Sequence, residues 1–362
     1  MFRVHHSLGD GVSLTAALGD LLDEAQEIRD MIQEEIRKRR AKGKDSYLLV
    51  KLLRFVQKLA WFLFGSIRAL VHQAYLMMTT SNNPFLEVLN RTDSKGLEAG
   101  RSATWCEFAT VAEVKLVAKA MGPNVTLNDL FVSCVTAAVA RQLAEHRQKM
   151  IVPDDDDTTN APSSSSNKNK HKQQNRLTNI NVVIPAHLAG GILPPGREVG
   201  NLIGAFVARV PGEMTDNASA SDRLSQVHSN LHKWRRSPAP FVSYYIARTA
   251  SSWLPSTWAT RLMLSGNANA AVVVSNNRGL TKKVHINGRP VESMMGFIPL
   301  PPGLPVGVVI QSYDSVVSLS VNAEKWAVPD ADKFLGWILD EYKLLCKEAS
   351  IKQRQKEITN KS

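Results

Sequence analysis

Hydrophobic positions near the start of the chain recur with a helical period. Leu14, Leu18, Leu21, Ala25, Ile28 and Ile32 follow one another at alternating steps of four and three residues. That makes a single apolar stripe and predicts one long helix. Asp20, Asp23, Glu24, Glu27, Asp30, Glu34 and Glu35 fill much of the remainder, and the cationic run RKRRAKGK (37–44) stands at the C-terminal end. This order of charge complements the helix dipole. A second helical pattern covers 48–78, where Lys51, Arg54, Lys58, Arg68 and His72 share one 3–4 repeat with Trp61 and Gly65 in the two intermediate places. Its longest run free of charge and amide is LAWFLFGSI (59–67), short of the roughly 20 residues a span requires. The pattern fits a helix in the headgroup plane of a membrane, with Lys51, Arg54, Lys58 and Arg68 toward anionic lipid and Trp61 in the interface. It fits equally a core helix with one wet face, or a groove-lining helix.

From 100 onward the pattern is mixed. SATWCEFATVAEVKLVAKAMG reads as a strand followed by a helix that Gly122-Pro123 ends. TLNDLFVSCVTAAVARQLAEH (126–146) opens with Thr126 and Asp129 at capping-box spacing and continues as an apolar helix. PDDDDTTNAPSSSSNKNKHKQQN (153–175) has no periodicity and too little apolar content to offset chain entropy, so it predicts a disordered linker. Beyond it, 178–186, 200–211 and 270–276 read as strands, the last of them interior. VGVVIQS and VVSLSVNA (306–323) flank a Tyr-Asp turn as a hairpin, with Ser318, Ser320 and Asn322 alternating against Leu319, Val321 and Ala323. Asp330 is placed to cap a final helix burying Phe334, Ile338, Leu339, Tyr342 and Leu345. The class expected is α/β (α+β) with a mixed sheet. The expected division is an N-terminal part (1–150), a linker (151–176), a C-terminal domain (177–350) and a flexible tail (351–362).

Composition narrows the function. The chain has 362 residues, 44% hydrophobic and 21% charged, which is globular. Cys106, Cys134 and Cys346 are scattered, without a CxxC pair; this argues for a reducing compartment and against structural zinc. No apolar signal-peptide core follows Met1, so the expected side is cytosolic. The net charge of +11 is concentrated in 37–68, but no recognition motif or stacking platform for nucleic acid accompanies it. Anionic lipid, or the phosphates of a nucleotide-bearing substrate, is the better match.

The stretch HHSLGDG (5–11) carries the chemistry. Residues 2–4 lead in as a strand, and strand neighbours point to opposite faces, so His5 and His6 are poorly placed to share a metal. Two histidines beside a turn can also be structural. The third reading is general-base catalysis, because an imidazole takes a proton from a hydroxyl at neutral pH and returns it to a leaving thiolate. One histidine would then face a channel and the other would support it. Asp10 can hold the turn, cap the following helix or bind a distant arginine.

HHSLGDG is similar to the HHxxxDG signature of the CoA-dependent acyltransferase superfamily, which includes chloramphenicol acetyltransferase, peptide-synthetase condensation domains and wax ester synthases. Asn128-Asp129, GNLIGAFVARVP (200–211) and the ordered segment from VVVSNNRG (272–279) to the final helix resemble the wax ester synthase/diacylglycerol acyltransferase family. The stretch 48–78 resembles the membrane-associated insert of that family's plant-type branch. The resemblance implies a two-domain fold with a channel between the domains. It implies fatty acyl transfer from acyl-CoA to diacylglycerol or a long-chain alcohol, with no metal and no cofactor beyond acyl-CoA as co-substrate. His6 is then the base, His5 its support, and Asp10 and Gly11 the structural part of the motif. Asn128 is placed near the reaction centre, Asp129 acts as a cap, and Ser275, Asn276 and Arg278 are channel-lining groups at a strand exit. Arg278 is either a partner of Asp10 or a surface arginine. The protein is expected on a cytosol-facing membrane, endoplasmic reticulum or plasma membrane. Relatives carry a substantial segment ahead of HHxxxDG, so the expectation is either a fragment of a longer chain or a chain that has lost part of the acyl channel. Two alternatives stay open: a condensation-type enzyme using carrier-bound thioesters, and a non-catalytic lipid-surface protein.

Overall fold

The computed structural model describes residues 9–41, 48–78, 83–86, 99–151, 179–189, 200–212, 219–267, 269–301 and 303–359. His5, His6 and most of the expected linker lie outside them. The helices are α1 (Gly11–Gly19), α2 (Ala25–Ala41), α3 (Leu48–Met78), α4 (Val111–Met121), α5 (Leu127–Ile151), α6 (Ala220–Arg235), α7 (Ala239–Trp253), α8 (Ser256–Asn267) and α9 (Ala331–Thr359). The strands are β1 (Arg101–Thr110), β2 (Asn179–His187), β3 (Ile203–Pro211), β4 (Val272–Arg278), β5 (His285–Ile286), β6 (Arg289–Pro290), β7 (Val306–Tyr313) and β8 (Val316–Glu324).

Six strands form one mixed sheet in the order β1-β8-β7-β4-β2-β3, with β2–β4 and β4–β7 parallel and the other pairs antiparallel. β4 is interior, as its apolar run predicts. β7 and β8 form the expected hairpin, closed by Asp314 and Ser315 at positive φ, the geometry of a type I′ turn. The strand run 101–110 belongs to this sheet as its edge, paired with β8. A division at 150 therefore does not follow the core.

One face of the sheet is closed by α4, α5, α6 and α9. Phe131, Leu130, Val182, Leu224, Val272, Val274, Val308, Leu319, Phe334, Ile338 and Leu345 share a single buried cluster. The capping box of α5 forms as read from the sequence: Asp129 N–H donates to Thr126 Oγ1 (3.3 Å) and Thr126 N–H to Asp129 Oδ2 (2.9 Å). The α9 cap forms too, with Lys333 N–H donating to Asp330 Oδ1 at 3.0 Å. That helix runs on to Thr359, through most of the expected tail.

The opposite face holds a smaller cluster around Val183, Val273 and Leu304. An extended segment after β6 lies across it. Ser320 Oγ donates to Gly296 O (2.7 Å) and Asn322 Nδ2 to Ile298 O (3.1 Å), which satisfies the polar alternation seen in β8.

The stripe from Leu14 to Ile32 is not one helix. It breaks after Gly19, and α2 begins at Ala25. The reason is long-range. Asp23 accepts from the backbone N–H groups of Asn287 (3.0 Å) and Gly288 (2.7 Å), the turn of the β5–β6 hairpin. Glu24 accepts from His285 N–H (2.9 Å) and bonds its Nδ1 (2.7 Å). Those two donations, backbone first and ring second, hold the Glu24 carboxyl below its ordinary value. The break presents two carboxylates to the hairpin that a continuous helix would point elsewhere.

Candidate functional site

Alternation along β2 and β4 sets the site. Val182, Val272 and Val274 face the helices, so Val183 and Val273 face away, and so, by the same parity, do His187, Ser275 and Asn277. These residues stand at the carboxyl ends of two parallel strands, where open α/β sheets place their ligands. The Gly9-Asp10-Gly11 turn is seated there.

Asp10 is fully buried. It is the N-cap of α1, with Oδ1 accepting from Ser13 N–H at 2.8 Å. Its other oxygen, Oδ2, accepts from Leu202 N–H at 2.8 Å and lies 3.6 Å from His187 Nε2. Two more bonds fasten the same strap: Ser13 Oγ donates to Gly200 O (2.6 Å), and Asp10 N–H reaches the same carbonyl (3.3 Å). Burying a carboxylate is tolerable only when hydrogen bonds replace water; here a helix N-terminus and a strand lead-in supply them, with the His187 ring alongside. The seat joins the motif to the chain nearly two hundred residues later. The partner of Asp10 is His187, not Arg278, which is exposed at the end of β4.

Gly11 faces Asn277, whose Nδ2 would lie 3.6 Å from a Cβ at Gly11. Ser275 Oγ is 3.5 Å from Asn277 Oδ1 on the same face. Asn276 and Arg278 point to the other side and are exposed. A polar row continues across the sheet, because Asn277 pairs with Gln311, Gln311 with Ser318, and Ser318 with Glu107. Sequence reasoning missed His187 and Asn277. The signal for Asn277 was strand parity, and the run of buried valines in β4 conceals it.

Asn128 and Asp129 diverge at the head of α5. Asp129 is fully buried and turned to the helix layer, with His228 Nδ1 at 2.9 Å and Arg235 Nη1 at 3.4 Å. Its role is the cap. Asn128 Oδ1 is buried without a hydrogen-bond partner. A buried acceptor left open costs about 1–3 kcal/mol, so a donor brought there by a ligand would recover it.

On α3 the stripe divides. Gly65 approaches α7 so closely that a Cβ there would stand 2.4 Å from Pro238 Cδ. Arg68 donates to Lys233 O (2.9 Å) and lies over the Trp234 ring at 5.0 Å. His72 stacks on Trp234 with centroids 4.0 Å apart, and its Nε2 is 3.3 Å from Val207 O. The C-terminal half of the stripe therefore docks the helix on the protein rather than facing headgroups. Arg54, Lys58 and Trp61 are exposed, and the side chain of Lys51 lies outside the described residues. Among the described residues, no helix is long and apolar enough to cross a membrane.

No curated protein matches the chain in sequence. Among solved structures, similarity extends to a wax ester synthase/diacylglycerol acyltransferase from Marinobacter aquaeolei VT8, at 16% identity and TM-score 0.42, over 74% of this chain and 56% of that one. The epimerization domain from the third module of tyrocidine synthetase B gives 14% identity and TM-score 0.48, over 97% and 69%. A trichothecene 15-O-acetyltransferase from Fusarium sporotrichioides gives 11% and 0.44, over 69% and 47%. The chain thus spans little more than half of the Marinobacter protein's length. The model of the WS/DGAT C-terminal domain matches residues 199–345, which begin one residue before the strap that seats Asp10 and end within α9. Residues 199–345 are thus similar to the WS/DGAT C-terminal domain.

Proposed function

We propose that the protein is an O-acyltransferase that moves a fatty acyl group from acyl-CoA to the hydroxyl of diacylglycerol or a long-chain alcohol. The supporting observation is the seat of Asp10: a buried carboxylate fastens the end of the HHSLGDG stretch to the WS/DGAT C-terminal domain at the carboxyl ends of β2 and β4.

In this reading His6 takes the proton of the acceptor hydroxyl, and the oxygen attacks the thioester carbonyl. The tetrahedral oxyanion collapses, the carbon–sulfur bond breaks, and the proton held by His6 neutralises the departing CoA thiolate. His5 supports the ring of His6. Asn128 Oδ1, open and buried, accepts from the acceptor hydroxyl and orients it. Ser275 and Asn277 lie on the sheet face beside Gly11, and no covalent acyl-enzyme is needed. The acceptors reside in bilayers, so the working surface is an anionic, cytosol-facing membrane, endoplasmic reticulum or plasma membrane.

The test supplies labelled acyl-CoA with and without diacylglycerol or a long-chain alcohol. Ester should appear only with acceptor, with one free thiol released per ester. Thiol release that is indifferent to acceptor would count against acyl transfer.

A further inference from the structure

α3 and the α7–α8 pair expose an unusual amount of large apolar surface. On α3, Phe55, Leu63, Phe64, Ile67 and Val71 are all exposed, Phe64 to 75%. The corner between α7 and α8, SSWLPSTW (251–258), projects Trp253 at 84% exposure and Trp258 at 62%, with Leu254 between them. The three helices pack on one another, and α3 is pinned to the start of α7 by the Gly65–Pro238 approach. Scattered single apolar residues on a surface are ordinary. A group of this extent marks a contact surface.

Its charge identifies the partner. There is no aspartate or glutamate between Asp45 and Glu87, nor any between Asp222 and Glu292. α3, α7 and α8 fall wholly within those two stretches and carry only cations: Lys51, Arg54, Lys58, Arg68, Arg248 and Arg261. A protein partner is met with both signs of charge, whereas a bilayer with anionic headgroups favours one sign outside and apolar side chains beneath. Indoles at a helix corner suit the depth where chain and headgroup meet.

We infer that the α7–α8 corner is an insertion tip for an anionic phospholipid bilayer, with Trp253 and Trp258 as its anchors. Arg248 and Arg261 lie on the arms of the corner, and the exposed apolar side of α3 is the adjoining support. The tip names a membrane contact for the acyltransferase reading above and rests on it only for purpose, because binding is read without turnover.

The test uses the full chain with vesicles of phosphatidylcholine alone and of phosphatidylcholine with phosphatidylserine. The variants are Trp253→Ser/Trp258→Ser and Arg248→Glu/Arg261→Glu. Removing each indole should weaken binding to the mixed vesicles by about ten- to a hundredfold. The charge variant should bind mixed vesicles no better than neutral ones. Quenching by brominated lipid should be strong in wild type and fall in the indole variant, whose melting temperature should match wild type because both side chains are exposed. Unchanged vesicle binding by the indole variant overturns the proposal. So does a wild type that ignores vesicles, or one whose self-association is lost in that variant. Acyl transfer to a short soluble alcohol should survive in both variants; its absence in wild type would sink the catalytic reading and leave the tip standing.

Discussion

Two helices look alike in the sequence and behave as opposites in the molecule. α5 and α3 are both long and apolar, yet α5 is enclosed and α3 is not. Leu130, Phe131, Val132, Cys134, Val135 and Val139 of α5 are fully buried between the sheet, α6 and α9. On α3, Ala69 is buried while Phe55, Trp61, Phe64 and Val71 are exposed. The difference lies in side-chain size and in what is left for the polar groups to do. α5 uses Ala, Val, Ser and Cys, which let neighbours approach on every side. α3 carries Leu, Phe and Trp with cations, and it docks along the line Gly65–Arg68–Ala69–His72. Apolar content says that a surface leaves water; it does not say into what.

The comparison breaks first at its largest effect. Leu130→Ala should destabilise the protein by about 2–5 kcal/mol, while Phe64→Ala should change stability by less than about 0.5 kcal/mol. Denaturant melts of both variants decide this. Equal losses would mean that α3 is as enclosed as α5.

Asp10 belongs with α5, as a buried group whose partners are complete. Asp10→Ala removes a cap of about 1 kcal/mol and strands the Leu202 N–H at about 1–3 kcal/mol more. The amides of α1 and of 200–202 should lose hydrogen-exchange protection together. Loss in α1 alone would show that the strap does not depend on the carboxylate.

Gly65→Leu sharpens the other side. The new side chain meets Pro238 and should cost about 1–3 kcal/mol by overpacking, with deprotection of α3 and little change in the sheet. A uniform loss across the protein would contradict a docked, separable helix.

The smallest effect depends on pH. Burial holds His72 below its ordinary pKa, so the folded state favours the neutral ring. The unfolded chain binds the proton more readily, and stability falls as pH drops below about 6.5. Exchange in α3, corrected for intrinsic rates, should rise between about pH 7 and 5.5. His72→Phe should remove that dependence while keeping the stack on Trp234. A pH response in the variant equal to wild type would place its origin elsewhere.

Local chemistry made much of the fold legible. The Thr126–Asp129 box, the Asp330 cap, the β7–β8 hairpin and the interior β4 follow from residues close in sequence. What escaped was set at a distance. The break between α1 and α2 comes from a hairpin some 260 residues on, which takes Asp23 and Glu24. The strand 101–110 completes a sheet whose other members lie beyond the linker. Asn277 rather than Asn276 faces Gly11, because valines buried on both faces of β4 hide its parity. Half of the α3 stripe turned inward because Trp234 and two carbonyls offered it a better partner than water. HHSLGDG was legible as a motif, and the seat of its aspartate emerged only from the fold.

The most direct test is the turnover of acyl-CoA with an acceptor alcohol by wild type and His6→Ala, with acyl-CoA binding measured alongside. Loss of a general base should lower turnover by roughly 10²–10⁴-fold and leave acyl-CoA affinity unchanged. Turnover within a few-fold of wild type would contradict the assignment of His6 as the base.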